Sequence, residues 1–230
     1  MEPVRRAPGK ARNMFRIKIC GITTPHDAEQ ATQAGADAIG LNFYPGSRRF
    51  IELPRAKEIV AAAGRHVLKV GIFVNADAGD VRKVAEEVEL DLVQLHGDES
   101  PEYVASLGDM PVMRAFCGDV SIADINRFLA ECLELGSKPR MVLIDGAGRG
   151  QYGGTGMTAD WQRLATEVGG LAAPLVLAGG LQPQNVAEAI KTLRPAAVDT
   201  AGGVEVEPGR KSPELMQAFV SAAKQAFDGF

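Results

Sequence analysis

A cysteine and an aspartate, each at the end of an apolar stretch, could together perform acid–base chemistry. Cys20 ends the run FRIKIC and Asp145 ends the run RMVLID. A thiolate can accept a proton, and an aspartic acid in apolar surroundings has a raised pKa that suits it to donate one. Lys18 lies on the same face of the strand as Cys20, so its charge is expected to lower the pKa of the thiol. A small buried cysteine and a loop-bracing aspartate are the alternatives.

Other polar residues occupy similar positions. His96 closes the apolar part of LDLVQLHG, where it could contact a substrate or bond a neighbouring loop. Asp199 lies within AAVDTAGG, and Arg48 and Arg49 follow a strand in the loop YPGSRRF. These side chains can form one site only if the fold brings their strand ends together.

The elements that must position them form a regular repeat from Phe15 onward, in which a short β-rich run is followed by a helical stretch. The eight apolar runs are FRIKIC, ADAIGLNF, VLKVGIFV, LDLVQLHG, PVMRAFC, RMVLID, PLVLAGG and AAVDTAGG. Helices are predicted to open at Pro25, Pro54, Pro183 and Pro213, since proline suits the first helical turn. Eight such units predict the α/β class and a single (β/α)8 TIM barrel over residues 15–230. A doubly wound sheet, the alternative, rarely needs eight units.

A barrel of this kind carries its active site at the carboxyl ends of the strands. The candidate side chains would therefore surround one cavity. The seventh and eighth runs end in the pairs Gly179-Gly180 and Gly202-Gly203. Barrels often bind phosphate at these two strands, because glycine lets backbone N–H groups approach an anion closely.

Composition argues against several functions. The net charge of −4 does not favour nucleic acid as a partner, and the apolar runs are too short to span a membrane. Three widely spaced cysteines predict a reducing, cytoplasmic location without a disulfide framework. Only three histidines occur, so a histidine-rich metal site is not expected, and no cofactor is implied.

A glycine-rich segment and a basic amino-terminal segment lie outside the repeating units. The stretch GAGRGQYGGTGMT contains a formal GxGxxG match, but several residues separate it from the next helix, so it is interpreted as a lid or substrate cradle rather than a dinucleotide site. Residues 1–14 carry four basic side chains and one acidic side chain without an apolar run. They are predicted to form a disordered basic extension.

The motifs together resemble the phosphoribosylanthranilate isomerases of tryptophan biosynthesis. The matching segments are KICGIT, GADAIGLNFYPGSRRFI, VGIFVN, VQLHGDE, LIDGAG, YGGTGMTADW, LAGGLQPQNV and AVDTAGGVEVEPGRK. The segments run in family order from residue 17 to about residue 211.

The resemblance implies an Amadori rearrangement of N-(5-phosphoribosyl)anthranilate to 1-(2-carboxyphenylamino)-1-deoxyribulose 5-phosphate. It implies that Asp145 is the general acid and Cys20 the general base. Arg49 matches the arginine that holds the anthranilate carboxylate, and His96 and Asp199 match positions near the substrate. The phosphate is expected at Gly179, Gly180 and the segment Ala201-Gly202-Gly203.

The chain departs from the family pattern in two loops. Ala201-Gly202-Gly203 lacks the usual serines, so backbone N–H groups are expected to carry more of the phosphate binding. Met157 replaces a lysine, and Arg149 could supply the lost charge. An aminoaldose-phosphate isomerase of histidine biosynthesis and a non-catalytic sugar-phosphate-binding barrel are the alternative functions. A monomer or a homodimer is expected.

Overall fold

The computed structural model describes residues 14–117, 120–146 and 161–229. Their parallel strands close into a barrel in the order β1 to β8, which confirms the predicted (β/α)8 architecture. The strands are β1 (Ile17–Ile19), β2 (Ala38–Asn42), β3 (Leu68–Phe73), β4 (Leu92–Leu95), β5 (Val112–Cys117), β6 (Met141–Asp145), β7 (Leu175–Ala178) and β8 (Ala197–Thr200). The barrel closes where β1 pairs with β8, with Lys18 opposite Asp199.

Helices connect successive strands. They are α1 (Pro25–Ala34), α2 (Leu53–Ala63), α3 (Ala78–Val88), α4 (Pro101–Ser106), α5 (Ile122–Glu134), α6 (Trp161–Glu167), α7 (Val186–Leu193) and α8 (Pro213–Asp228). Among the described residues, serine, threonine or aspartate side chains cap α1, α3, α4, α5 and α8 by accepting a hydrogen bond from a first-turn N–H. Pro25 and Pro213 open their helices as predicted, and Pro54 lies in the first turn of α2.

The predicted start of the seventh helix is wrong. The helix begins at Val186 rather than at Pro183. The Asn185 side chain accepts a hydrogen bond from the Gln182 N–H at 2.9 Å and donates one to the Gly180 carbonyl at 3.0 Å. This local turn occupies the backbone that would otherwise form the first helical turn, and it braces the loop after β7.

Alternation along the strands divides the side chains into an outer and an inner set. Outward residues such as Ile39, Leu41 and Val198 pack against the helices in the main core cluster. Inward residues such as Ala38, Leu92 and Leu143 fill the bottom of the barrel. Nearer the carboxyl ends the inward positions become polar, and this change creates the site.

After β8 the chain forms a short antiparallel hairpin, β9 (Glu205–Glu207) and β10 (Arg210–Lys211), before α8 begins. The sequence patterns did not predict this hairpin. It places Glu205 and the buried Lys211 beside the strand ends of β1 and β8.

Some expectations lie outside the described residues. These are residues 1–13 of the basic extension and most of the glycine-rich loop after β6, including Arg149 and Met157. Met14, assigned to the extension, is partly buried beside Phe15 at the bottom of the barrel. In the part of the chain that the structure describes, no helix is long and apolar enough to cross a membrane.

Candidate active site

A cavity of about 640 Å³ opens at the carboxyl ends of the strands. It brings together the predicted site residues that the structure describes: Cys20, Arg49, His96, Asp145, Gly179, Gly180, Asp199, Ala201, Gly202 and Gly203. Asn42, Tyr44 and Gln94 line the same space. A cavity of this volume fits a small organic ligand.

The loop after β7 depends on glycine. Gly179 and Gly180 adopt φ values of 85° and 63°, in the left-handed region where other residues are strained. A Cβ atom on Gly179 would also collide with the backbone N of Gly146. This turn therefore presents bare backbone to the cavity, as the phosphate prediction requires.

Cys20 follows β1 and projects into the barrel beside Gly40 of β2. A Cβ atom on Gly40 would lie 2.7 Å from the Cys20 Sγ, so the absence of a side chain there makes room for the thiol. The backbone of Cys20 is held from β8, because its N–H donates to the Thr200 carbonyl at 2.7 Å.

The prediction that Lys18 gives Cys20 a lowered pKa is wrong in its net direction. Burial raises the pKa of the Cys20 thiol, and the charge of Lys18, which acts in the opposite direction, does not offset it. Lys18 is fully buried, and its Nζ lies 3.0 Å from Asp199 Oδ1. Burial acts to lower the pKa of Lys18, but the charges of Asp199 and Cys20 together raise it. Lys18 is therefore a cation already paired with a carboxylate.

Asp145 closes β6 on the inner face, and its neighbour across the cavity is His96. The Asp145 Oδ2 lies 3.6 Å from the His96 Nε2, and the Asp145 side chain is 10% exposed. Burial, followed by the charge of Lys18, lowers the pKa of His96 to about 4. At neutral pH the His96 ring is consequently uncharged.

Arg49 reaches the cavity from the loop after β2 and is held by the hairpin. Its Nε and Nη2 donate to the two carboxylate oxygens of Glu205 at 2.8 and 2.6 Å. Glu205 also accepts from Lys211 Nζ at 2.7 Å, and Lys211 donates to the carbonyls of Cys20 and Ala201 at 2.6 and 3.0 Å. Although burial acts to raise it, these two cations hold the pKa of Glu205 below its usual value. A bidentate partner fixes the guanidinium plane.

Comparison with known proteins gives a consistent assignment. Residues 17–222 match the family model described as N-(5′-phosphoribosyl)anthranilate (PRA) isomerase. The chain belongs to this family. The N-(5′-phosphoribosyl)anthranilate isomerase of Acidithiobacillus ferrooxidans is 44% identical over 92% of this chain and 98% of that protein. The isomerase of Rubrobacter xylanophilus is 43% identical over 92% of this chain and 100% of that protein.

Solved isomerases of the family share the fold. The Thermotoga maritima phosphoribosylanthranilate isomerase is 36% identical and superimposes with a TM-score of 0.79, over 92% of this chain and 100% of that chain. A phosphoribosylanthranilate isomerase solved with reduced 1-(o-carboxyphenylamino)-1-deoxyribulose 5-phosphate is 35% identical, with a TM-score of 0.77, over the same shares.

Several polar residues of this isomerase-family site were not predicted from the sequence, and Gln94, Glu205 and Lys211 are among them. Gln94 is 1% exposed and lies two residues before His96, so strand alternation could have placed it on the same inner face. Glu205 and Lys211 had no comparable signal, because their position depends on the hairpin after β8.

Proposed function

We propose that this cavity performs the Amadori rearrangement of N-(5-phosphoribosyl)anthranilate, with Asp145 as general acid and Cys20 as general base. The single observation that carries the proposal is that these two groups project from β6 and β1 into one cavity. The family assignment favours this reaction over the histidine-pathway isomerase and the non-catalytic barrel.

Asp145 donates its proton to the ribose ring oxygen, and the bond from that oxygen to C1 breaks to give a protonated Schiff base. Cys20 as thiolate then removes the proton from C2, and the electron pair moves to form the C1–C2 double bond of an enolamine. The enolamine tautomerises to the ketone. The raised pKa of Cys20 makes the thiolate scarcer but a stronger base, which suits proton removal from carbon.

Two groups position the substrate in this proposal. Arg49 holds the anthranilate carboxylate with the part of its guanidinium that Glu205 does not occupy. The glycine turns after β7 and β8 bind the phosphate through backbone N–H groups. In the relative solved with a reduced carboxyphenylamino-deoxyribulose phosphate, the ligand carries the same two anionic groups.

The test is a fluorescence assay with phosphoribosylanthranilate generated in place, with spontaneous hydrolysis subtracted and the ketose product identified by mass. Cys20→Ser and Asp145→Asn should each lower kcat by roughly 10²- to 10⁴-fold. Cys132→Ala in the core and Asp109→Asn on an exposed turn serve as matched controls. Turnover that survives in both site variants would refute the assignment of acid and base.

We also propose that the chain acts on this small-molecule substrate as a monomer or a homodimer. The Thermotoga maritima isomerase is dimeric, and monomers generated from it have been solved. Sedimentation equilibrium of the purified chain would distinguish the two states, and a larger assembly would contradict both.

A further inference from the structure

A row of buried polar side chains crosses the barrel from β8 to β6. Lys18 Nζ lies 3.0 Å from Asp199 Oδ1 and donates to Gln94 Oε1 at 3.0 Å. On its other side, Gln94 Nε2 lies 2.9 Å from His96 Nδ1. The His96 Nε2 then faces Asp145 Oδ2 at 3.6 Å. The row thus connects the cation beside the proposed base with the proposed acid.

The direction of each hydrogen bond in this row follows from its cationic end. An ammonium group only donates, so the Gln94 atom that faces Lys18 must be the carbonyl oxygen. The amide nitrogen of Gln94 therefore faces His96. Because an amide NH2 group only donates, His96 Nδ1 must accept.

An accepting Nδ1 leaves one arrangement for a neutral imidazole, in which Nε2 carries the hydrogen. The burial that lowers the pKa of His96 to about 4 excludes the doubly protonated ring at neutral pH. The Nε2–H then lies toward Asp145 Oδ2. Hydrogen bonds of this type measure about 2.7 to 3.2 Å, so a displacement of roughly 0.5 Å would complete the contact during the reaction.

We propose that Gln94 is a positioning residue that fixes His96 as the Nε2–H tautomer, so that the acid proton of Asp145 is held on Oδ1. This inference rests on the proposed function of Asp145. The carbonyl oxygen of a neutral carboxylic acid is a better acceptor than its hydroxyl oxygen, so an N–H donated to Oδ2 favours the form of the acid that carries its proton on Oδ1. As Asp145 gives up this proton, the same N–H stabilises the carboxylate that forms.

The opposite tautomer would have the opposite effect. A bare Nε2 would accept a hydrogen bond from the carboxyl group and hold the acid proton on Oδ2, where it is engaged with His96 and is not free for transfer. The Lys18–Asp199 pair prevents this arrangement, because it keeps the ammonium against Gln94 and so fixes the amide orientation.

Gln94→Glu tests the proposal, because it keeps the shape of the side chain and replaces its donor by an acceptor. Gln33→Glu, on the exposed side of α1, adds the same charge far from the cavity and is the matched control. The readout is the protonation of the His96 ring nitrogens in long-range ¹H–¹⁵N spectra at pH 7. The signals are assigned with His96→Gln, and the chain has only two other histidines.

We expect Nε2–H in the wild type and in Gln33→Glu, and an Nδ1–H or doubly protonated ring in Gln94→Glu. We also expect kcat of Gln94→Glu to fall by on the order of 10- to 100-fold, a part of the general-acid contribution, while KM changes less than kcat. A merely structural role would change the melting temperature without moving the hydrogen to Nδ1.

Two results would overturn the inference. One is a wild-type His96 that carries its hydrogen on Nδ1, a measurement that does not require any variant to fold. The other is a Gln94→Glu chain in which His96 carries its hydrogen on Nε2 alone, or which retains wild-type kcat. A failure of the proposed function would appear separately, as a wild-type chain with no turnover but an Nε2–H ring.

Discussion

The buried pair of Lys18 and Asp199 makes the stability of the barrel depend on two charges at its centre. The Lys18 side chain is 0% exposed and the Asp199 side chain 8%, with 3.0 Å between Nζ and Oδ1. Lys18→Met removes the cation and leaves Asp199 buried without it. Breaking such a pair typically costs about 3 to 5 kcal/mol.

The expected effect is large against a total stability of about 5 to 15 kcal/mol. For a chain of this size each kcal/mol moves the melting temperature by about 2 to 4 °C. Lys18→Met should therefore lower the melting temperature by roughly 6 to 20 °C. The double variant Lys18→Met/Asp199→Leu leaves no unpaired charge and should be more stable than either single variant.

The assay is urea denaturation at pH 7 of the wild type, both single variants and the double variant, with thermal melting alongside. The control Lys57→Met breaks a surface ion pair, in which the Lys57 side chain is 49% exposed and the Glu87 side chain 35% exposed. It should lower the free energy of unfolding by only about 0 to 1 kcal/mol. A Lys18→Met chain that loses no more stability than Lys57→Met would refute the argument. So would additive losses in the double variant.

Three further predictions concern the cavity. Glu205→Gln should raise KM more than it lowers kcat, because Glu205 holds Arg49 through two hydrogen bonds and the substitution loosens that arginine. Glu207→Gln, at an exposed position, should leave KM unchanged. Equal KM values for the two variants in steady-state kinetics would contradict this prediction. Gly203→Ala should weaken the binding of inorganic phosphate and lower stability more than Gly202→Ala does. The added Cβ atom of residue 203 would collide with the backbone carbonyl of Leu181, whereas that of residue 202 would lie 3.5 Å from its nearest neighbour, Arg49 Nη2. Equal effects of the two substitutions in calorimetry would contradict this prediction. Because the pKa of His96 falls from 6.5 to about 4 on folding, its neutral ring adds stability that is complete above pH 6.5 and is lost toward pH 4. The stability advantage of the wild type over His96→Gln should then shrink by about 3 kcal/mol between pH 7 and pH 4, and a constant difference in urea denaturation would count against it.

The sequence predicts the barrel well because each strand and helix has its own local signal. Strand alternation also predicts the shared face of Lys18 and Cys20, and the same spacing relates Gln94 to His96. Strand alternation does not predict whether burial or a neighbouring charge has the larger effect on the pKa of such a group. The pKa of Cys20 depends on burial in the assembled barrel, and no local pattern reports burial quantitatively.

Longer-range arrangements were less predictable. Glu205 and Lys211 join the site through a hairpin whose strands are two or three residues long, too short for a periodic signal. The predicted start of α7 was wrong because the Asn185 side chain forms a turn that competes with the first helical turn. In both cases the deciding contacts lie outside the repeating pattern of strand and helix.

Two hydrogen bonds hold the backbone of Cys20, just after the first strand, against residues in and after the last strand of the barrel. Lys211 donates to the Cys20 carbonyl across 191 residues, and the Cys20 N–H donates to Thr200. Closing so long a loop costs conformational entropy, so we expect these contacts to form late in folding. The thiol is thus aligned only when the last strand meets the first. During refolding, helical signal should recover before enzymatic turnover, and an amino-terminal half-barrel made alone would contain the cysteine without its alignment.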